Sequence, residues 1–239
     1  VFAADVDGDG DLDAVTTVYD GRDEGRMSGH ENDGSGSFTA HVIRRFSGQG
    51  HGITNLKRDV FATDVNGDGD LDLISQAGQH FDGHNHYENS IAWYENDGNG
   101  NFTTPLFSGA NGFGTDSGRS VFAADVDGDG DRDILLAHQN SVTWYENNGS
   151  GSFTAHSIST DVPVASSVIA MDADGDGDPD VVSASYQNDT VTWYENDGQG
   201  NFTSHTISIV ADGAQGLFAA DMDADGDLDL LSASNDGSL

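Results

Sequence analysis

An all-β fold, a β-propeller of four-stranded antiparallel blades with about five repeat units and one incomplete blade, is predicted by three features of the sequence. One phrase recurs five times, a second alternates with it four times, and no segment carries the 3.6-residue hydrophobic period of a helix. The first phrase reads VFAADVDGDGDLD from Val1, VFATDVNGDGDLD from Val60, VFAADVDGDGDRD from Val121, VIAMDADGDGDPD from Val168 and LFAADMDADGDLD from Leu217. Its leading Asp falls at 5, 64, 125, 172 and 221, a spacing of 47 to 61 residues. That spacing is blade-sized and far too long for a nonapeptide β-roll.

The elements of one unit follow in order. A strand such as 121–124 enters the Asp-rich loop and a strand such as 133–137 leaves it. The second phrase supplies the rest: GHENDGSGSFTAHVI (29–43), WYENDGNGNFTTPLF (93–107), WYENNGSGSFTAHSI (144–158) and WYENDGQGNFTSHTI (193–207). In it a third strand ends at WYE, a Gly-rich turn follows, and a fourth strand begins at FT. β-Branched and aromatic content punctuated by Asn-Asp-Gly or Asn-Gly is the signature of hairpins. Four short antiparallel strands per repeat describe a propeller blade. Residues 1–239 therefore read as a single propeller domain, or a segment of a larger one, with loops at 5–13, 64–72, 125–133, 172–180 and 221–229. Because the first hairpin occurs five times and the second only four, the chain is expected to start and stop inside a blade. The open strand edge this leaves would invite self-association or be covered by native sequence outside the chain. The missing initiator Met reads as a processed or excised piece.

Charge narrows the partners. Asp and Glu number 42 against 8 Lys and Arg, a formal charge of -34, while 35% hydrophobic residues are too many for a solvated acidic tail. Such a field repels nucleic acid and anionic membranes, and no apolar run reaches the roughly 20 residues needed for membrane insertion as a helix. Metal cations and neutral ligands remain. With no cysteine there is neither a disulfide nor a thiolate site.

The loop from Asp5 to Asp13 places oxygen donors at positions 1, 3, 5 and 9, with a backbone carbonyl available at position 7. Calcium takes 6 to 8 hard oxygen ligands, and Gly at position 6 allows the chain to wrap sharply around the ion. By this register the side-chain ligands are Asp5, Asp7, Asp9 and Asp13; Asp64, Asn66, Asp68 and Asp72; and Asp125, Asp127, Asp129 and Asp133. The last two loops give Asp172, Asp174, Asp176 and Asp180, then Asp221, Asp223, Asp225 and Asp229. Asp11, Asp70, Asp131, Asp178 and Asp227 would offer their carbonyl oxygens, with side chains facing water or reaching the metal through it. An EF-hand is excluded, since Thr16 stands where its bidentate Glu belongs and the flanks are strands. Purely polar turns are the alternative, yet carboxylates about 8 Å apart repel by about 0.5 kcal/mol per pair even in water. Magnesium fits less well, because it demands a tight octahedron and keeps its waters. About five calcium ions, one per loop, are the expected cofactors.

With these loops and the WYEN phrase in view, the chain resembles the FG-GAP or VCBS repeat family, the calcium-loop propeller units also found in the head of integrin α subunits. The resemblance covers nearly the whole chain. It implies that the loop joins neighbouring strands of a blade and that its ion stiffens the hairpin rather than doing chemistry.

Other residues carry weaker signals. Trp93-Tyr94-Glu95, Trp144-Tyr145-Glu146 and Trp193-Tyr194-Glu195 suit either a sugar-stacking ladder or, as favoured here, packing between blades with at most one ring of each pair in the core. The first repeat has Gly29-His30-Glu31 instead. The turns at 96–100 and their counterparts carry too few carboxylates for a cation and read as hairpin turns. His41, His156 and His205 recur, which marks them as scaffold, whereas His80, His84 and His86 in one insertion have the composition of a transition-metal or ligand site, set against a solvated loop as the stronger reading. Arg22, Arg26, Arg44, Arg45, Lys57 and Arg58 cluster near the first repeat, as a receiver of acidic groups or as partners of the chain's own Asp residues. Asn101, Asn148, Asn188 and Asn201 lie in glycosylation sequons.

The expected function is a non-enzymatic, extracellular or cell-surface binding, adhesion or assembly module taking a glycan or protein ligand, with structural calcium. A polysaccharide lyase or hydrolase on the same scaffold, using His84, His86 and Tyr87, is the alternative, and a protomer of an extracellular fibre is a third reading.

Overall fold

The computed structural model describes residues 1–19, 24–47, 59–77, 90–103, 119–138, 140–209 and 211–234. The chain divides into two compact units, Val1–Asp116 and Ser117–Leu239. Among the described residues every regular element is a strand.

In the first unit β1 (Phe2–Ala4), β2 (Asp13–Tyr19), β3 (Glu24–Asn32) and β4 (Phe38–Ser47) form one antiparallel sheet in chain order. A second sheet holds β5 (Val60–Thr63), β6 (Asp72–Ala77) and β7 (Ser90–Tyr94), and an isolated bridge between Asn96 and Phe102 stands where its fourth strand would begin. In the second unit β8 (Ser120–Ala124), β9 (Asp133–Ala137), β10 (Val142–Asn147) and β11 (Phe153–Ser159) make a four-stranded sheet, as do β12 (Ala165–Met171), β13 (Asp180–Ser185), β14 (Thr190–Asn196) and β15 (Phe202–Ser208). β16 (Gly216–Ala220) and β17 (Asp229–Ala233) pair by themselves.

Each repeat is thus one meandering sheet, the blade expected from the phrases. The Asp loop is the tight connection of its first hairpin, with Ala4 opposite Asp13 and Ala124 opposite Asp133. One expectation is corrected here. The first sheet is whole from Phe2 onward, because an Asp-loop hairpin and the hairpin that follows it belong to the same sheet. Among the described residues the fifth loop stands in the two-stranded β16–β17 sheet, the stop inside a blade that the phrases predict.

The core follows from strand position. Every residue of β9 and of β13, the second strand of its sheet, is buried, so both faces are covered. In the first unit Val15, Met27, Leu73, Ala92 and Tyr94 pack together, and in the second Leu135, Val142, Trp144, Val168, Val181 and Tyr194 do so. Covered faces also correct the reading of the aromatic pairs: Trp144 and Tyr145 point to opposite faces and are nonetheless both buried, at 4% and 6% exposure. Trp93 and Trp193 are half-buried beside fully buried Tyr94 and Tyr194, as expected for one ring per pair.

Candidate metal centres

Each loop shapes itself through its own carboxylates. The leading Asp reaches across the turn: Asp5 accepts the Gly10 N–H at 3.0 Å, and Asp64, Asp125, Asp172 and Asp221 accept those of Gly69, Gly130, Gly177 and Gly226 at 2.9–3.1 Å. This wrap needs the position-6 glycine, whose φ lies between 94° and 100° in all five loops; an L side chain there would be strained. The next two carboxylates each take the N–H two residues on, as Asp7 does from Asp9 at 3.2 Å and Asp9 from Asp11 at 2.9 Å. One oxygen of each is thereby spent on the backbone and its second is left for an ion.

The result is convergence. Ligand oxygens of Asp5, Asp7 and Asp13 lie within 4.8 Å of one another, and so do those of Asp125, Asp127 and Asp129, of Asp172, Asp174 and Asp180, and of Asp221, Asp223 and Asp225. The second loop has Asn66 at position 3, an amide oxygen in place of a carboxylate. The donor set is all hard oxygen, which suits calcium, and one atom demands a partner: Asp125 Oδ1 is buried with no hydrogen bond. A buried carboxylate oxygen left bare costs free energy that a cation at the centre of the third loop would remove.

The position-9 carboxylate does more than close the loop. Asp133 accepts the Val126 N–H at 3.0 Å with one oxygen and the Asn147 N–H at 2.7 Å with the other, tying the loop to the end of β10. Asp13 does the same with Val6 and Asn32, Asp72 with Val65 and Asn96, and Asp180 with Ala173 and Asn196. All four are buried. Burial pushes Asp72 and Asp180 up from the ordinary carboxylate range, and Asp133 to about 6, against the opposing pull of those backbone donors. Asp7 and Asp127 are also raised, by burial first and then by neighbouring carboxylates. The loops hold more negative charge than they favour by themselves.

The position-7 side chains are half-buried: Asp11, Asp70, Asp131 and Asp178 lie over Gly34, Gly98, Gly149 and Gly198 of the outer turn, and a Cβ on Gly98 would come within 2.7 Å of Asp70. Only a residue without a side chain leaves room for the carboxylate. The outer turns themselves are hairpin turns held by their own Asp, or by Asn148 in the third. Asp33, Asp97 and Asp197 sit below the usual carboxylate range, chiefly through side-chain bonds from Ser35, Asn101 and Asn201.

The Asn that ends each WYEN phrase was missed in the sequence. Beyond giving its N–H to position 9, Asn96 donates its amide to the Leu71 carbonyl at 2.9 Å and to the Val6 carbonyl of the neighbouring sheet at 2.7 Å. Asn196 repeats this with Pro179 and Val126. Its recurrence in all four phrases, as Asn32, Asn96, Asn147 and Asn196, was the available signal.

The recurring His residues behave as scaffold: His41, His156 and His205 pair with Glu31, Glu146 and Glu195 at 3.0, 2.7 and 2.7 Å, and His156 and His205 stack on Trp144 and Trp193. Arg26 stands opposite Arg45 on the β3–β4 pair, and Arg44 lies beside them. His80, His84, His86, Tyr87, Arg22, Lys57 and Arg58 lie outside the described residues.

Comparison with known proteins agrees with this architecture. The FG-GAP-like repeat family matches residues 5–75, 64–136, 125–183 and 172–232. No curated protein matches the chain. Among solved structures, a lectin from Agrocybe aegerita that recognises non-reducing terminal N-acetylglucosamine is 24% identical with a TM-score of 0.57, over 88% of this chain and 52% of the lectin. The biofilm matrix protein Bap1 of V. cholerae is 21% identical with a TM-score of 0.51, over 96% of this chain and 33% of Bap1. The chain spans about half the length of the one and a third of the other, and the likeness is one of fold.

Proposed function

We propose that this chain, which belongs to the FG-GAP-like repeat family, is an extracellular, non-enzymatic binding or adhesion module whose Asp loops each hold a structural calcium ion. The carrying observation is the convergence of three carboxylates within 4.8 Å in four loops, together with the bare buried oxygen of Asp125. Asp5, Asp7, Asp9 and Asp13 and their counterparts hold the ion, and it supplies the positive charge that offsets their mutual repulsion. Because position 9 is bonded to the third strand of the sheet, an ion bound by the loop stiffens the whole blade. The role is architectural.

Location follows from affinity. Loops with four carboxyl or amide ligands and no bidentate Glu bind calcium at about 10⁻⁴–10⁻³ M, the range of extracellular modules, and cytosolic calcium would leave them empty. A glycan or an extracellular protein is the ligand class, supported by a net charge of -34 that disfavours polyanions and by fold-level neighbours that include a lectin and a matrix protein. Titration calorimetry tests the first part, with filling of the loops near millimolar calcium expected; submicromolar binding would remove the argument for an extracellular setting. Glycan and protein arrays probed with the calcium-loaded chain test the second.

A further inference from the structure

The first and third sheets carry the same outer hairpin with one difference: where β10 has Trp144, β3 has Gly29, each opposite the recurring His of the next strand. In the second unit the Trp144 indole stacks on His156 at 4.6 Å, meets the edge of Phe202 at 6.3 Å, and lies so close over Gly200 that no Cβ fits there. The first unit repeats these walls with His41, Ile43, Gly100 and Phe102, and leaves the ring out. What remains is a cavity of about 560 Å³ lined by those residues together with Asp7, Asp13, Glu31, Asn99 and Asn101.

We infer that this cavity is a docking site for an aromatic side chain, tryptophan above all, presented by a protein ligand. Its walls already hold an indole in the sister repeat. A Cβ on Gly100, the counterpart of the Gly200 that lies under the Trp144 ring, would meet only Asp7 Cβ at 3.5 Å, so no ring of the described residues stands in that place. Of the three carboxylates on the wall, Asp13 is bonded to the Val6 and Asn32 N–H groups, Glu31 to His41, and Asp7 is taken by its loop's ion in the calcium-loaded chain, so the loaded site favours a neutral group over a cation. Asp13 occupies in this sheet the place that Asp133 holds in the third, where the carboxylate lies near the Trp144 indole. A preformed cavity shaped by a missing large side chain binds the ring it lacks, and Trp is the residue most enriched among interface anchors.

The inference rests on the binding-module reading and deepens it. N-acetyl-tryptophanamide, followed by ligand-observed NMR with the calcium-loaded chain, is expected to bind while N-acetyl-alaninamide does not. Gly29→Trp, which rebuilds the plug of the third sheet, is expected to weaken that binding at least tenfold without lowering the melting temperature. His41→Ala, a change at an exposed side chain, is expected to weaken it several-fold through loss of the stacking surface and serves if Gly29→Trp folds poorly. Equal binding to the wild type and both variants overturns the inference, as does displacement of the tryptophan amide by a neutral hexose, or no binding of the amide at all. If the arrays meanwhile show a ligand for the wild type, the module reading stands and this site alone falls.

Discussion

The third and fifth Asp loops carry the same acidic donors and differ in what surrounds them. Asp133 is fully buried and bonded at both oxygens, whereas Asp229 is exposed and accepts one backbone N–H, that of Met222 at 2.9 Å. The reason is the third strand: β10 brings Asn147 to Asp133, and the β16–β17 pair has no such neighbour among the described residues. Loop sequence therefore makes the cradle, and the sheet around it makes the clamp. The same carboxylate is a stability determinant in one repeat and a surface group in the other.

The sharpest way to break that comparison is to delete both. Asp133→Ala leaves two buried N–H groups unsatisfied and should cost about 3 kcal/mol or more, while Asp229→Ala should cost no more than the roughly 1.4 kcal/mol that its loop's ion contributes. Urea unfolding in saturating calcium measures both, and similar costs would deny the clamp.

Acidity is the next lever. Burial raises Asp133 from 3.8 to about 6, so the metal-free fold favours its protonated form. Its contribution is fully present below the unfolded value and is lost as pH rises through the folded one, a swing of about 3 kcal/mol for a buried group. In chelator the third loop should therefore be more stable near pH 4.5 than near pH 7.5, and calcium should abolish or reverse the trend. A melting temperature that rises with pH in chelator would contradict this.

Two smaller changes act on cradles alone. Position 4 has glycine at φ 75–80° in four loops, but the fifth places Ala224 at φ 62°. Ala224→Gly should relieve about 1 kcal/mol of backbone strain, visible as a small rise in unfolding midpoint. Asn66→Asp completes the carboxylate set of the second loop, and should tighten calcium there by a few-fold in calorimetry.

Much of this was legible in the sequence. The five loops, the position-6 glycines, the order of strands and the Asn-Gly turns are local, so spacing and residue type reveal them directly. The clamp was not legible, because Asp133 and Asn147 are joined by strand pairing across 14 residues and spacing does not name the atom that accepts. The place of Asp70 over Gly98 is illegible for the same reason, since it depends on a turn two strands away. Gly29 was visible as a missing Trp, yet the cavity it opens needs Gly100 and Phe102 from the neighbouring sheet. The sharp wrap of the loop calls for positive φ at position 6, and the structure shows that position 4 needs it too, where the fifth loop has Ala224.

Whether ions hold this fold together is decided by scanning calorimetry of the chain in millimolar calcium and in excess EGTA at neutral pH. With free calcium at about ten times the dissociation constant, linkage gives roughly 1.4 kcal/mol per loop and about 7 kcal/mol for five, comparable to the whole stability of a typical domain. The account predicts a fall of tens of degrees in melting temperature, or an unfolded chain, on chelation, fully restored by added calcium. A melt unchanged by EGTA would contradict it.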